Sequence, residues 1–542
     1  MATENTRLLG RQTSKKRWSS SKPARQLLIA ILIVLLLVQS VFLFKPVLQK
    51  HSAPAKKRNV IFFVTDGMGP ASLSLTRSYR QYIEKLPIDD VLTLDHHLIG
   101  SSRTRSSNSL VTDSAAGATA FSCALKSYNG AIGVDPDKQP CGTLLEAAKL
   151  EGYLTGLVVT TRITDATPAS FSAHTDYRFQ EDLIAEHQLG EYPLGRMVDL
   201  MIGGGRTHFY SGSDSQYGSR GTRADGRNLI KEAEKNGWSY AGNRQQFDQL
   251  QLGRNVTLPL LSLLADYDIP FDIDRDDSEY PSLEEEAITA VTALSDATRN
   301  SDKGFFLMIE GSRIDHAGHQ NDPAAQVREV IAFDKAFKAV KKFADNSDVE
   351  TILISTSDHE TGGLVTAKQI GKDYPEYAWY PEFLDNAKHS GEYLGKQLVA
   401  YKGNDKRSFI EKEIFEKGQG IQDYSPEDVD ELMKLSQGGD INDKLNGMVS
   451  DRAQVGWTTH GHSAVDVNIY AYANRRETWI RILDRLQGNH ENIEIGKFMA
   501  EYLEADLTQV TEMVKKTKHS PKGVISESIS DEYGHILTPP LN

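Results

Sequence analysis

Four short stretches of the chain are largely apolar at successive positions: Val60–Val64, Leu157–Thr160, Phe305–Ile309 and Thr351–Ile354. Runs of this length without alternation read as strands buried on both faces, the pattern of a parallel sheet covered by helices. Between them the spacing changes to that of helices. Thr143-Leu144-Leu145-Glu146 and Ser282-Leu283-Glu284-Glu285 fit the capping box, in which each side chain satisfies the other residue's orphan amide. Asp322-Pro323 offers an N-cap and a first-turn proline, and Val330, Phe333, Phe337 and Val340 then recur at helical intervals. The alternation predicts an α/β protein: a three-layer α/β/α sandwich with a mostly parallel central sheet. From about residue 364 to 455 the pattern turns irregular and rich in Tyr, Gly and Lys, which predicts an insertion mounted on the sheet. Gly203-Gly204-Gly205-Arg206 lacks the Lys-Ser/Thr of a phosphate-binding P-loop and reads as a tight turn after a strand. Residues 516–542 show little apolar periodicity and read as a C-terminal tail.

One apolar run is of another kind. Leu27–Phe44 carries no formal charge, and its length is close to the roughly 20 residues that a hydrocarbon core of about 30 Å demands. Arg7, Arg11, Lys15, Lys16, Arg17, Lys22 and Arg25 precede it against the single acid Glu4, which predicts a cytoplasmic tail (1–26), a transmembrane signal anchor (27–44), a linker (45–57) and a folded domain (58–515) on the far side. The rival reading is a cleaved signal peptide, with Ala53-Pro54-Ala55 as the processing site.

Composition narrows the class. With 39% apolar and 25% charged residues the chain is a folded protein, and a net charge of −13 despite its basic tail argues against stable nucleic-acid binding. The only two cysteines, Cys123 and Cys141, fall in the expected exoplasmic part. There they either pair, contributing about 3 kcal/mol in the chain-entropy model, or remain buried thiols. Asn255-Val256-Thr257 is an N-glycosylation sequon, usable on a lumenal face.

The strands share a property that strand propensity does not explain: each apolar run ends in acids or histidine. Val60–Val64 leads to Asp66, Phe305–Ile309 to Glu310 and then Asp315 and His319, and Thr351–Ile354 to Asp358-His359. Ligands of open α/β sheets bind beyond the carboxyl ends of strands, so these groups are expected in one crevice. A cluster of carboxylates and imidazoles without cysteine suits Zn²⁺ or Mg²⁺, and so many acids repel one another unless cations intervene. Ser114, in Thr112-Asp113-Ser114-Ala115-Ala116-Gly117, precedes a run of small residues that predicts a closely packed helix. Taken alone it reads as either an N-cap or a nucleophile at the positive end of that helix.

Together, Asp66-Gly67-Met68-Gly69, Asp113-Ser114-Ala115-Ala116, Thr164-Asp165-Ala166-Thr167-Pro168, Glu310-Gly311 with Asp315 and His319, Asp358-His359, and His462 in His-Gly-His-Ser resemble the ordered motifs of the alkaline phosphatase family, over about residues 58–515. The basic tail and anchor resemble the family's fungal vacuolar members. The resemblance implies a metal-dependent phosphomonoesterase, active on small phosphate monoesters and phosphopeptides. It implies one zinc ion on Asp315, His319 and His462, a second on Asp66, Asp358 and His359, and a magnesium ion on Asp66, Thr167 and Glu310. Ser114 would form a phosphoserine, with Arg178 gripping the phosphate and Asp113 beside it. Asp165 and His316 would stand behind the third metal, and His460 would be exposed or support the ligands. It also implies a homodimer, a crown-like role for 364–455, a vacuolar membrane location with a lumenal catalytic domain, and a tail removed as a propeptide. Three rivals remain: a phosphodiesterase or nucleotide pyrophosphatase, which generally uses threonine; a sulfatase, whose Cys-x-Pro-x-Arg motif is missing; and an inactive metal-stabilised membrane protein.

Overall fold

The computed structural model describes residues 57–192, 194–214 and 220–516. The basic tail, the apolar run 27–44, nearly all of the 45–57 linker and residues 517–542 lie outside the described residues. Among the described residues no helix is long and apolar enough to cross a membrane.

Ten strands form the central sheet: β1 (Arg58–Val64), β2 (Leu98–Arg103), β3 (Leu154–Arg162), β4 (Leu200–Gly204), β5 (Ser239–Ala241), β6 (Leu260–Leu263), β7 (Phe305–Glu310), β8 (Glu350–Thr356), β9 (Val467–Ala473) and β10 (Gly488–Glu491). Their order is β10-β2-β9-β8-β1-β7-β3-β4-β6-β5. Every neighbouring pair is parallel except the two made by β9. The four predicted strands are present and longer than their apolar runs. Polar residues at their ends, such as Asn59 and Thr161, continue the strand while their side chains find hydrogen bonds; Asn59 Nδ2, for example, donates to Thr351 Oγ1 at 3.1 Å.

Alternate residues of β1 feed two cores. Val60, Phe62 and Val64 pack with Phe121 of α2 (Ser114–Cys123) and Phe171 of α4 (Ala166–Ser172). Ile61 and Phe63 face the other way, toward Leu294 of α5 (Leu283–Ala297) and Phe333 and Phe337 of α7 (Pro323–Asp345). The expected sandwich follows directly from this alternation. Both capping boxes form, at α3 (Leu144–Leu150) and α5, and Asp322 caps α7 ahead of Pro323.

The 364–455 region, irregular in its sequence pattern, is largely helical. It contains the helices Pro381–Asn386, Gly391–Ala400, Pro426–Leu435 and Ile441–Ala453. These helices are short, and polar linkers between them dilute the periodicity. Leu394, Leu398, Phe415 and Leu445 form a third core, joined by Leu75 and Tyr79 from α1 (Pro70–Ile83) and Val327 from α7. Cys123 and Cys141 form a disulfide, which rules out the free-thiol alternative. Of the expected glycine turn, Gly203 and Gly204 still belong to β4, and Gly205 alone turns the chain, in the left-handed region, into a short 3-10 helix, Arg206–Phe209; Asn255 of the sequon is exposed.

Candidate active site

Strands β8, β1, β7 and β3 are consecutive and parallel, so their carboxyl ends open on one side of the sheet. Asp66 follows β1, Glu310 ends β7, Asp358 and His359 follow β8, and Asp165 and Thr167 follow β3. Helix α6 (Arg313–His319) presents Asp315 and His319 four residues apart on one face. Ser114 begins α2 but does not cap it. Asp113 is the cap: its Oδ1 accepts from the Ala116 amide at 2.9 Å and its Oδ2 from the Gly130 amide at 2.9 Å. The capping role is thus already taken, and Ser114 Oγ lies 3.0 Å from His359 Nε2. The small-residue run brings α2 in close. A Cβ added at Gly117 would stand 2.8 Å from Asp358 Cβ, so glycine lets the helix approach the acid.

Two sets of donor atoms, each within 4.8 Å of one another, can hold metal: Asp66, Asp358 and His359; and Asp315, His359 and His462. The first is the trio expected from sequence. The second brings in His359 where His319 was expected, but His319 is also at hand, with Nε2 3.3 Å from Asp315 Oδ2 and 3.1 Å from His462 Nε2. The three imidazoles share one hydrogen-bond logic. His462 Nδ1 lies 2.7 Å from Thr112 O, His319 Nδ1 bonds to His460 O, and His359 Nδ1 lies 3.2 Å from Thr361 Oγ1, which itself donates to Asp315 Oδ1 at 2.5 Å. An Nδ1–H donated to each of these oxygens would leave the Nε2 lone pair of a neutral ring for an ion.

Asp66 Oδ1, Asp358 Oδ2 and Thr167 Oγ1 are buried with no hydrogen-bond partner among the described residues. Burial, reinforced by neighbouring carboxylates, pushes Asp66 well above its ordinary range, Asp358 to about 7 and Glu310 to about 8. Orphaned oxygens and mutually repelling acids are the imprint of a site built around cations. Asp315 behaves differently. Burial works against its ionised form, but His319, His462 and His359 together outweigh it and hold the carboxyl well below its usual range, while His319 itself is raised to about 9 by Asp315 against the effect of burial. Burial lowers His359 and His462 and so favours the neutral, ligating imidazole.

Arg178 reaches the same crevice. Its Nη2 lies 3.1 Å from Asp165 Oδ1 and its Nη1 3.4 Å from Asp113 Oδ2. Burial opposes its charge, but these two acids more than restore it, so the guanidinium stays fully protonated. A planar fork between two carboxylates, aimed at the start of a helix that carries a serine, suits a tetrahedral oxyanion.

The model of the family described as alkaline phosphatase matches residues 57–505. The chain belongs to the alkaline phosphatase family. It is 61% identical over 561 residues to the repressible alkaline phosphatase of Saccharomyces cerevisiae, covering 99% of both chains. Among solved structures it resembles Thermus thermophilus alkaline phosphatase, with a TM-score of 0.69 and 26% identity over 86% of this chain and 99% of that one. A TAB5 alkaline phosphatase variant, solved with Mg bound in its M3 site, gives a TM-score of 0.56 and 26% identity over 83% of this chain and 98% of that one. This alkaline phosphatase is therefore a metal-dependent enzyme that hydrolyses phosphate monoesters, and the diesterase and sulfatase readings fall away.

Sequence reasoning missed part of the phosphatase site. His460 is exposed, as expected, but its backbone carbonyl orients His319 and its ring Nδ1 bonds to His319 O at 2.9 Å. Thr361, which joins His359 to Asp315, lies two residues beyond Asp358-His359 with nothing in the pattern to mark it. His316 Nδ1 is 3.6 Å from Asp268 Oδ2, and burial lowers its pKa. Asp268 and Arg162 escaped notice as well. Arg162 at the end of β3 was legible in principle, as a charge closing an apolar run three residues before Asp165.

Proposed function

We propose that the enzyme works through a phosphoserine on Ser114, with two zinc ions and one magnesium ion. Asp315, His319 and His462 would hold one zinc, Asp66, Asp358 and His359 the other, and Asp66, Thr167 and Glu310 the magnesium. When bound, these ions supply the positive charge that lowers the cost of a serine alkoxide and of the developing charge on the leaving oxygen. Arg178 binds two nonbridging phosphate oxygens and turns phosphorus toward Ser114. Ser114 Oγ attacks in line and the alcohol leaves, with the amino end of α2 favouring the anion. Water then cleaves the phosphoserine and releases inorganic phosphate.

The observation that carries this reading is Ser114 Oγ at 3.0 Å from His359 Nε2, on a helix already capped by Asp113. Ser114→Ala is expected to lower turnover of a phosphate monoester by at least about 10³-fold while metal content is unchanged. Acid quench with labelled substrate should leave phosphate on the wild type and none on the variant. Full steady-state activity in the metal-loaded variant would sink the assignment.

The same reading places the catalytic domain in a lumen, most simply that of the vacuole, behind a single-pass anchor at 27–44. Four features support it: the uncharged run itself, the basic residues before it, the disulfide, and the exposed sequon at Asn255. Homodimer formation, a crown-like role for 364–455 and removal of the C-terminal tail belong to the same family reading. The His319 side chain is 40% exposed, so the site is open to solvent; small phosphate monoesters and phosphopeptides are the substrates this reading implies.

A further inference from the structure

One arginine beside the site has no part in the reaction just described. Arg162 is 8% exposed, and its guanidinium is divided among three carboxylates. Nε lies 2.9 Å from Glu181 Oε2, Nη1 2.7 Å from Asp268 Oδ1 and Nη2 3.2 Å from Asp165 Oδ2. Its own backbone amide donates to Asp268 Oδ1 at 3.1 Å, and Thr164 Oγ1 donates to Glu181 Oε2 at 2.6 Å. The Tyr267 ring lies over the guanidinium, 4.2 Å away.

The glycine turn after β4 seats this cluster. A Cβ on Gly204 would stand 2.0 Å from Tyr267 O, and one on Gly205, whose φ is +86°, would stand 2.8 Å from Arg162 Cβ. The Gly205 amide donates to that same Tyr267 oxygen at 2.8 Å. The Gly-Gly-Gly-Arg run that resembles a phosphate loop in sequence therefore serves a neighbour: it lets Tyr267 and Asp268 close on Arg162.

The consequence falls on Asp165. Arg162 holds its Oδ2 at 3.2 Å and Arg178 its Oδ1 at 3.1 Å, so two guanidinium groups share one carboxylate. Arg178 is also 3.4 Å from Asp113 Oδ2, and its remaining donors are those available to phosphate. Every increase in the hold of Asp165 on Arg178 competes with phosphate for the same guanidinium. We propose that Arg162 is a positioning residue that sets phosphate affinity: by taking half of Asp165, it keeps that acid from capturing Arg178. Without Arg162, Asp165 keeps Arg178 as its only ion-pair partner, and the clamp is drawn back toward it.

This inference rests on Arg178 as the phosphate clamp, and the test separates the two. The metal-loaded full-length enzyme is compared as wild type, Arg162→Met, Arg162→Lys, Asp165→Asn, Arg162→Met with Asp165→Asn, and Arg178→Ala. The readouts are inhibition by inorganic phosphate and turnover per active site. Arg162→Met is expected to raise the phosphate inhibition constant by about tenfold, more than it lowers turnover. Arg162→Lys, which keeps the charge but not the fork, should fall between. In the Asp165→Asn background, Arg162→Met should have little further effect on phosphate, because the competing charge is gone. A merely structural role would lower the folded fraction and leave the inhibition constant of the remaining enzyme unchanged, which would overturn the proposal. An equal loss with and without Asp165 would overturn it too. If Arg162→Met does not fold, Arg162→Lys with and without Asp165→Asn makes the same comparison. Unchanged phosphate inhibition in Arg178→Ala would remove the clamp itself; weakened inhibition there with none in the Arg162 variants would remove only this inference.

Discussion

Asp113 illustrates how one side chain can serve fold and site at once. One carboxylate oxygen caps α2 through the Ala116 amide, while the other faces Gly130 and Arg178. Asp113→Asn keeps an oxygen for the cap, whereas Asp113→Ala keeps none. The alanine variant should lose about 1 kcal/mol of stability, seen as a lower urea midpoint, and the asparagine variant much less. A small phosphate-inhibition change in Asp113→Asn beside a large one in Arg178→Ala would separate the orienting acid from the clamp. At this scale the sequence was only partly legible. Ser114 stood out through its motif, but nothing in the linear pattern said that Asp113 does the capping, because both residues are good caps. Nor does a sequence show that Thr112, Thr361 and His460 occupy the Nδ1 atoms of three histidines, since the two carbonyls come from distant segments and the hydroxyl, though only two residues from His359, belongs to no motif.

At the level of elements, caps and apolar runs were the most readable features, because their periods are local. Thr143→Ala removes the hydroxyl that accepts from Glu146 N at 3.2 Å and should cost about 1 kcal/mol in urea unfolding. Helix α5 holds a less readable feature. Glu286 is fully buried, with both carboxylate oxygens unpartnered among the described residues, and burial raises its pKa well above 4.5. A raised acid binds its proton more tightly in the folded state. Its contribution is present in full below about pH 4.5 and is lost as pH rises toward the folded value. Glu286→Gln should therefore gain stability relative to the wild type between about pH 5 and pH 8. Equal urea midpoint differences at the two pH values would contradict that sign. The helices of 364–455 escaped notice because each is short and their shared core includes Leu75, Tyr79 and Val327, far away in sequence.

For the molecule as a whole, the sheet order decides what meets at the site: four parallel strands place Asp165, Asp66, Glu310 and Asp358 side by side. The alternation of strands and helices predicted the layers, but not that β9 enters antiparallel between β2 and β8, because pairing partners leave no local trace. The crowding of acids ties stability to cations. Chelation should lower the thermal midpoint, with a loss of about 4 kcal/mol where free metal had exceeded its dissociation constant about a thousandfold. A chelated enzyme that melts with the loaded one would show that the acids are satisfied without ions. Helix α2, which carries Ser114, is finally fastened at both ends: by a carboxylate at Asp113 and by sulfur at Cys123, bonded to Cys141. The second fastening depends on where the chain is made. A polypeptide synthesised where glutathione keeps thiols reduced would emerge with the serine's helix secured at one end only, so the expression host becomes a variable in the measured activity. Oxidation of Cys123 and Cys141 is in this sense the last step in assembling the active site.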